Sequence, residues 1–559
     1  MSRTTSSLAL ALAVLAVASG CGAAMTRRFP LREVMWRDHD QQPFGPRPRT
    51  AFNPYLWDAV DNTLFRRSSE LFTYELDREA LNVNAADEVP DSSWFTNRIG
   101  RRPMSREELA LGPCRSLEQP PFPWRVLRGK HDGSSPGAVI EAADGRRYVF
   151  KVDFRQPERA TAADVIATRI LHAIGYYVPC NQVVFFEPGD VEVTPDATMG
   201  GAPYGAEQLE ALVAASGRAP DGRRRASLSL FVEGAPLGGW RFEGRRADDP
   251  NDVIDHQHRR ETRGMYVASS WLNHVDARAE NNMSTWMETG DGLGYVRHYV
   301  LDAGDSFGIG WHEDALVRRL GHSHYVDLQH ALEDFLTLGL ANRPWTEPAR
   351  GEAFEVFAYY PNVEDYVPDQ WRNGYPNPAF ERRTERDMAW MARIVSRFER
   401  DDLEAIVALG RWSEPRHGAI LVGTLWGRRT RLLERWLTRL SPLADVELQG
   451  DRLCATDLAV RSGIRGAHAR RYRARAHGAE GRLSIGAGWR VTGSEVCVPL
   501  PRRSPRTSAY LVIDVEASTE GRDHPAPLRA HLYEHPPGST PAFSLVGVER
   551  PSTAAPPRL

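Results

Sequence analysis

Residues 128–153 read RGKHDGSSPGAVIEAADGRRYVFKVD and contain the only two lysines of this 559-residue chain, Lys130 and Lys151. The chain has 70 lysine and arginine residues in total, and all except these two are arginines. Lysine is a compact cation with three rotatable donors, whereas arginine is a wide planar fork. A chain that uses arginine almost everywhere should keep lysine where a compact charge is required. Both lysines are therefore candidate functional residues.

The pattern around the two lysines predicts three short β-strands joined by turns. The turn-rich segment 130–137 separates the first strand from the second, and the dipeptide Asp144-Gly145 separates the second from the third. The third strand carries Lys151. An apolar stripe at helical spacing follows and stops at Gly175, and two more strands are expected before position 234.

Two polar motifs further along the chain are suited to phosphate chemistry. HVDARAEN spans residues 274–281, and YVLDAGDSFG spans residues 299–308 with Asp302 directly after an apolar strand. A glycine-containing loop lets backbone N–H groups approach phosphates, a lysine on a nearby strand reaches them, and acidic or amide side chains hold Mg²⁺. An aspartate five residues before the metal-binding asparagine is placed to accept a hydroxyl proton. The order of the motifs predicts a phosphoryl-transfer site.

At these residues the chain resembles the protein kinases. HVDARAEN resembles the kinase catalytic loop His-Arg-Asp-Leu-x-x-x-Asn, and LDAG resembles the Asp-Phe-Gly metal motif with Ala303 in place of phenylalanine. YVFKVD resembles the strand that carries the kinase lysine. The segment ADVIATRILHAIGYYVP is similar to a helix of HipA-like kinases, and the same minimal pattern occurs in secreted Golgi casein-kinase-like and spore-coat CotH-like proteins. The resemblance covers about residues 120–440.

The resemblance implies a role for each matching residue. It makes Asp276 the catalytic base, puts Arg278 near the γ-phosphate and puts Lys151 on the α- and β-phosphates. Asn281 and Asp302 are the implied Mg²⁺ ligands. The residues implied to bind ATP are Lys130, Gly133, Ser134, Gly137, Lys151 and Asp164.

The sequence leaves two residues of the predicted helix as candidates for the acidic partner of Lys151. Asp164 lies 11 residues before Gly175, as the acidic residue does in HipA-like helices, and this spacing favours it. Glu158 lies nearer the edge of the apolar stripe and is the alternative. Asp305 is close enough in sequence to Asp302 to be a further candidate for the metal shell.

Two other polar clusters have simpler interpretations than a metal site. His256 and His258 are expected at the start of a helix with Asp255 as its N-cap. The acidic segment 248–252, DDPND, is expected to be a solvated turn rather than a calcium loop.

The N-terminus predicts a targeting segment. Residues 8–18, LALALAVLAVA, form an apolar run too short to span a bilayer, and small residues precede Cys21. This pattern is typical of a bacterial lipoprotein signal, with cleavage before Cys21 and a lipid on its thiol; an ordinary cleaved signal peptide is the alternative. We expect an exported protein that is lipid-anchored in the cell envelope.

Four cysteines remain after the leader, and none form a CxxC pair, which disfavours a zinc site. In an oxidising compartment Cys454 and Cys497 are candidates for a disulfide within the C-terminal β region. Two buried thiols are the alternative.

Composition and length limit the function classes. The net charge is −3 with 26% charged and 42% hydrophobic residues, which does not favour a nucleic-acid-binding protein. The expected fold class is α+β, a bilobal protein-kinase-like fold with an irregular N-terminal extension and a small C-terminal β-sandwich. The predicted divisions are a signal peptide 1–21, an extension 22–110, a kinase-like N-lobe 111–234, a helical C-lobe 235–442, a β domain 443–548 and a disordered tail 549–559.

The function predicted from the motifs is an ATP- and Mg²⁺-dependent phosphotransferase that acts on an unknown hydroxyl acceptor in the cell envelope. Protein, glycan and small-molecule acceptors all fit the sequence. One alternative is a kinase-fold pseudoenzyme or scaffold lipoprotein without catalysis. The other is nucleotidyl transfer, in which AMP rather than a phosphoryl group is transferred.

Overall fold

The computed structural model describes residues 28–51, 55–66, 68, 78–131, 135–153, 158–308, 314–343, 345–479, 481–519 and 526–552. The predicted leader with its lipidation site Cys21 lies outside these residues. Gly133 and Ser134 of the predicted phosphate loop also lie outside them, as does the chain from position 553 onward. The described residues form a mixed α/β fold with several sheets.

The described residues before position 123 are mostly irregular but include two helices. Helix α1 comprises Tyr55–Val60 and continues as the π-helical segment Asp61–Phe65, and α2 comprises Arg106–Leu111. The side chain of Ser105 caps α2 by accepting a hydrogen bond from the backbone N–H of Glu108. Five apolar side chains of this region belong to the main hydrophobic core: Val89, Trp94, Phe95, Ile99 and Leu109. The region therefore packs into the body of the protein.

The first sheet contains the strands predicted around the two lysines. Its strands are β1 (Trp124–Gly129), β2 (Gly137–Glu141), β3 (Arg147–Lys151), β4 (Asn181–Phe186), β5 (Val191–Met199), β6 (Ala202–Pro203), β7 (Gly217–Arg218) and β8 (Arg224–Leu230). They lie in the order β4-β8-β3-β2-β1-β5-β6, with β7 beside β8. β1, β2 and β3 are consecutive antiparallel neighbours, which confirms the three-strand prediction.

A long buried helix, α3 (Arg159–Ile174), connects β3 to β4 and packs in the main core. The predicted end of this helix is confirmed at Gly175, whose φ is +149°. A Cβ at this position would lie 2.3 Å from the ring of Phe95, so the close approach requires glycine. The helix α4 (Ala206–Ala215) lies between β6 and β7.

The middle of the chain is mainly helical around a three-stranded sheet. Its elements are β9 (Ala235–Gly238), α5 (Arg260–Leu272), β10 (Asn282–Gly290), β11 (Leu293–Val300), α6 (Asp314–Val317), α7 (Leu328–Leu336), α8 (Phe354–Phe357), α9 (Pro378–Glu381), α10 (Glu385–Val395), α11 (Arg400–Ala408) and α12 (Pro415–Trp436). The sheet order is β11-β10-β9, and α5, α10 and α12 contribute buried residues to the same core as α3. No helix among the described residues is both long enough and apolar enough to cross a bilayer.

The C-terminal region contains two further sheets that share one hydrophobic cluster. Its elements are β12 (Leu443–Gln449), β13 (Arg452–Asp457), α13 (Leu458–Arg461), β14 (Arg470–Gly478), β15 (Gly481–Leu483), β16 (Arg490–Thr492), β17 (Glu495–Pro499), β18 (Ala509–Thr519), β19 (Leu528–Glu534) and β20 (Phe543–Glu549). The sheet orders are β12-β13-β17-β16 and β15-β14-β18-β19-β20. The description of this region as a β-sandwich domain stays a prediction, as do the other domain limits.

Two disulfide bonds are present in the described part of the chain. Cys454 and Cys497 are bonded between β13 and β17, where they are direct cross-strand neighbours, so the disulfide rather than the two free thiols is confirmed. Cys114 and Cys180 form a second disulfide that the sequence analysis did not predict.

Two expectations about the segment before α5 are wrong. Asp255 precedes the short turn His256–His258 but makes no capping hydrogen bond with its side chain, and α5 begins only at Arg260. The segment 248–252 is not a fully solvated turn, because Asp249 and Asp252 are buried. Asp252 accepts a hydrogen bond from His256 at 2.8 Å, which compensates for the burial of its carboxylate.

Candidate functional site

Lys151 lies at the end of β3, where the strand runs between β2 and β8. Its Nζ donates to Oδ2 of Asp302 at 2.9 Å and lies 3.6 Å from Oδ2 of Asp164. Burial alone lowers the pKa of a lysine, but the two carboxylates hold the pKa of Lys151 above its ordinary value. The side chain is therefore a fixed cation between two acidic groups.

Asp164 lies on the buried helix α3 and faces both Lys151 and the chain after β11. Its Oδ1 accepts a hydrogen bond from the backbone N–H of Ala303 at 3.4 Å. Burial raises the pKa of Asp164, and the ammonium of Lys151 opposes this effect. Glu158, the alternative partner, instead accepts from the backbone N–H of Ser413 at 2.8 Å. Of the two candidates, Asp164 is the one beside Lys151.

Asp302 follows β11 and is the more exposed of the two carboxylates. Its Oδ1 accepts a hydrogen bond from the backbone N–H of Gly304 at 3.0 Å, and its Oδ2 accepts one from Nζ of Lys151. Desolvation opposes the ionisation of Asp302, but the ammonium of Lys151 outweighs it and holds the pKa of this carboxyl below its usual range. Asp302 is therefore ionised, with part of its surface open to a ligand.

The motif HVDARAEN forms a loop after α5, which ends at Asn273 in the left-handed conformation. Asn281 donates from Nδ2 to the backbone oxygen of Asp276 at 2.7 Å and to its Oδ2 at 2.8 Å. The guanidinium of Arg278 lies 2.9 Å from Oδ1 of the same aspartate. The loop is tied to the other motif because the backbone oxygen of Asn281 accepts from the N–H of Leu301 at 2.8 Å, one residue before Asp302.

Burial raises the pKa of Asp276 to about 6, and the nearby charge of Asp305 adds to this effect. Asp305 itself accepts a hydrogen bond from Nδ1 of His274 at 2.6 Å. Burial disfavours the charged imidazole, yet the carboxylate of Asp305 raises the pKa of His274. Asp305 therefore orients His274, the first residue of the loop HVDARAEN. Its proposed place in a metal shell stays a prediction.

The loop between β1 and β2 approaches the same centre. Lys130 donates from its backbone to the oxygen of Gly137 at 2.9 Å and from Nζ to the backbone oxygen of Ser135 at 3.2 Å. The charge of Lys130 contributes to the low pKa of Asp302, so the lysine lies within electrostatic reach of it. A Cβ on Gly137 would lie 2.3 Å from the backbone oxygen of Phe150, so this end of the loop requires glycine.

A carboxyl pair beside the loop HVDARAEN was missed by the sequence analysis. The carboxyl groups of Asp58, in α1, and Glu280 lie close to each other, and both lie near Arg278. Burial, together with the charge of Asp58, raises the pKa of Glu280 to about 7. The two residues are 222 positions apart and belong to no shared motif, so no sequence signal pointed to the contact.

The structure thus brings Lys151, Asp164, Asp276, Asn281 and Asp302 together from three separate parts of the chain. One carboxylate and one amide oxygen suffice to begin a Mg²⁺ site, because Mg²⁺ usually retains waters and takes substrate phosphates as further ligands. Asp302 and Asn281 supply such a pair, so these residues fit the ion. The charges of Lys151 and Lys130 suit a polyphosphate.

One other group with metal-ligand spacing occurs among the His, Cys, Asp and Glu side chains of the described ranges. It consists of Cys454, Glu495 and Cys497. Because its two cysteines form a disulfide, it lacks the thiolates that a metal would need.

The chain is similar to two solved structures of the Golgi casein kinase. The first shares 10% identity over 58% of this chain and 74% of that chain, with a TM-score of 0.26. The second, with Mn/ADP bound, shares 12% identity over 60% of this chain and 83% of that chain, with a TM-score of 0.23. No protein-family model and no curated protein matches the sequence. The assignment of the site therefore rests on its own geometry.

Proposed function

We propose that the protein is an ATP- and Mg²⁺-dependent phosphotransferase with a bilobal, protein-kinase-like architecture. The observation that carries the proposal is the position of Lys151 between Asp164 and Asp302. The catalytic loop is tied to the same place through the hydrogen bond between Leu301 and Asn281. A fixed ammonium, an ionised carboxylate and an amide beside an aspartate are the groups that phosphoryl transfer requires.

The order of elements supports the kinase-like interpretation. A loop between two strands precedes the lysine strand β3, the acidic helix α3 follows, and the catalytic loop comes before the hairpin β10–β11 and Asp302. Protein kinases carry their glycine-rich loop, lysine, acidic helix residue, catalytic loop and metal-binding aspartate in the same order. The shared order therefore supports a phosphotransferase site.

In the proposed reaction Lys151 and Lys130 bind and orient the phosphates of ATP. Asp302 and Asn281 would hold Mg²⁺, which neutralises charge on the phosphate oxygens. Asp276 accepts the proton of the acceptor hydroxyl as the acceptor oxygen bonds to the γ-phosphorus. The bond from that phosphorus to the bridging oxygen breaks, and ADP leaves. A pKa of about 6 suits Asp276 to this task, because the group is ionised near neutral pH yet basic enough to take a proton.

We further propose that the protein acts outside the cytoplasm and is held at the membrane by a lipid on Cys21. Two disulfides in the described chain support an oxidising compartment. The leader pattern in front of Cys21 supports export and lipid attachment. The acceptor would then be a hydroxyl compound of the cell envelope.

Label transfer tests the proposed reaction. The protein is incubated with Mg²⁺ and ATP labelled on either the γ- or the α-phosphorus, together with an envelope extract as the acceptor source. We expect γ-label in the acceptor, and a loss of about 100-fold or more in the Asp276→Asn variant because its general base is removed. Asp221→Asn, in an exposed turn, is the matched control. Transfer of α-label would replace the proposal by AMP transfer, and no transfer of either label would leave a binding protein.

A further inference from the structure

A cavity of about 560 Å³ lies beside the catalytic loop. Two of its lining residues, Asn373 and Asn377, hold the backbone of Ala277, the residue after Asp276. Oδ1 of Asn373 accepts from the N–H of Ala277 at 3.2 Å, and the amides of both asparagines donate to its oxygen at 3.1 Å. Both asparagines therefore connect the lining of the cavity to the residue next to the proposed catalytic base.

The lining of this cavity is mainly polar and carries both donors and acceptors. Arg372 donates to Asp327 at 2.6 Å and to Gln329 at 3.2 Å. His330 contacts the indole of Trp345, with ring centroids 5.1 Å apart. Imidazole, amide, guanidinium and carboxylate groups beside aromatic rings suit a ligand that presents several hydroxyl groups.

One side of the cavity continues into an exposed apolar surface on α7. Leu328 lines the cavity and is itself exposed. Leu332, Phe335 and Leu336 follow it at spacings of four, seven and eight residues, which places all four on one face of the helix. Phe335 is 77% exposed and Leu336 is 70% exposed.

The exposed apolar surface extends past the end of α7. Leu338 and Leu340 in the following segment are 87% and 84% exposed. Contiguous exposed apolar side chains of this size mark interaction sites in soluble proteins. We call residues 328–340 the apolar ridge.

A second element, in the N-terminal region, reaches the cavity through Thr63. Trp57, Leu64 and Phe65 of the same helical segment are about half exposed. The rings of Trp57 and Phe65 lie 5.6 Å apart. Exposed apolar side chains therefore occur on two elements that each contribute a residue to the cavity lining.

We propose that the apolar ridge docks on a lipid bilayer and that the cavity takes the hydroxyl-bearing headgroup of a membrane lipid as the phosphoryl acceptor. A polar pocket with an apolar border matches a molecule with a polar head and apolar chains, and an amphipathic helix with an exposed Leu/Phe face is suited to the interfacial region. The leader pattern before Cys21 predicts a lipid on its thiol, which would hold the protein at a membrane surface. The proposal that a lipid headgroup is the phosphoryl acceptor rests on the proposed phosphotransferase function. The proposal that the apolar ridge docks on a bilayer is independent of that function.

Vesicle sedimentation tests the docking surface. Residues 22–559, which include every described residue but carry no lipid, are mixed with phosphatidylglycerol vesicles. We expect the wild type to bind and the double variant Phe335→Asp with Leu336→Asp to bind about tenfold more weakly or worse, because two exposed apolar side chains that would insert into the bilayer are replaced by charges. Val491→Asp, at another exposed apolar position, should bind like the wild type. Equal binding by the double variant, or no binding by the wild type, would overturn the proposal.

Two further measurements separate the parts of the proposal. Asp302→Asn should bind vesicles as the wild type does. A failure of phosphoryl transfer would therefore not affect the conclusion about membrane docking.

The wild type should prefer phosphatidylglycerol to phosphatidylserine vesicles, which have the same charge but no headgroup hydroxyl, and Trp345→Ala should lose this preference. No preference in the wild type would overturn the headgroup site. A wild type that self-associates through the ridge, and whose double variant is monomeric, would identify a second copy as the occupant and overturn membrane docking.

Discussion

Nζ of Lys151 lies 2.9 Å from Oδ2 of Asp302, although the two residues are 151 positions apart. The contact joins the strand β3 to the segment after β11, and Asp164 approaches the same ammonium from α3. Because the carboxylates hold the pKa of the lysine above its ordinary value, the cation is fixed and permanently charged. The contact thus defines the centre on which the proposed nucleotide site depends.

Replacing Lys151 by arginine should impair activity while leaving the fold intact. Arginine keeps the positive charge next to Asp164 and Asp302, so the melting temperature should change by only a few degrees. Its wide guanidinium cannot take the place of a compact ammonium on the phosphates, so we expect phosphoryl transfer to fall about 100-fold. Arg147→Lys, the reverse exchange at an exposed position of the same strand, should leave the rate unchanged. Equal rates for Lys151→Arg and the wild type would exclude a phosphate contact by this lysine.

Lys130 should contribute to ATP binding rather than to turnover. Its ammonium lies at the loop between β1 and β2 and acts on the charge of Asp302. We expect Lys130→Ala to raise KM for ATP about tenfold, the effect of one charge-assisted hydrogen bond, with little change in kcat. Steady-state kinetics measure this change, and Arg128→Ala, an exposed residue of β1, is the control. A KM that stays the same would place Lys130 outside the phosphate site.

The carboxyl pair of Asp58 and Glu280 should make the protein less stable as the pH rises. The pKa of Glu280 is about 7 in the folded state, above its usual 4.5, so the folded state binds more protons between these values. The stability associated with this group is complete below about pH 4.5 and is lost as the pH passes through 7.

The variant Glu280→Gln tests this pH dependence. Unfolding by denaturant at pH 5 and pH 8 should show a smaller loss of stability in the variant than in the wild type. An identical pH dependence in both proteins would show that Glu280 is not a buried, destabilised carboxylate. Glu333→Gln, on the exposed side of α7, serves as the control.

The disulfide between Cys454 and Cys497 should stabilise the C-terminal sheets. The bond closes a loop of 43 residues and joins neighbouring strands. Loop-closure entropy predicts that replacing both cysteines by alanine lowers the free energy of unfolding by about 4 kcal/mol. Denaturant unfolding of this region under non-reducing conditions, which leave the bond between Cys114 and Cys180 intact in both proteins, measures the change. A loss below about 1 kcal/mol would contradict a structural role.

Local sequence patterns predicted the elements that carry the site. The turn at Asp144-Gly145 and the end of α3 at Gly175 follow from turn chemistry and from backbone conformations that only glycine adopts easily. The spacing of Asp276 and Asn281 within one short loop likewise made their contact foreseeable. Such features depend on residues close together in the chain.

Contacts between distant segments could not be predicted in this way. The pair of Asp58 with Glu280 and the packing of residues 89–99 into the main core have no local pattern, because they result from how the N-terminal region folds onto the body. The burial of Asp252 was misjudged for the same reason. Its partner His256 belongs to a segment whose position is set by tertiary packing.

Calorimetric titration with ATP, in the presence and absence of Mg²⁺, tests the central claim most directly. We predict that the wild type binds ATP and that Mg²⁺ strengthens the binding, because Asp302 and Asn281 would hold the ion in the proposed site. If Asp302 is a ligand of the ion as proposed, Asp302→Ala should abolish Mg²⁺-dependent ATP binding, while the surface variant Asp221→Ala should bind as the wild type does. Undiminished binding of Mg²⁺–ATP by Asp302→Ala would contradict the account.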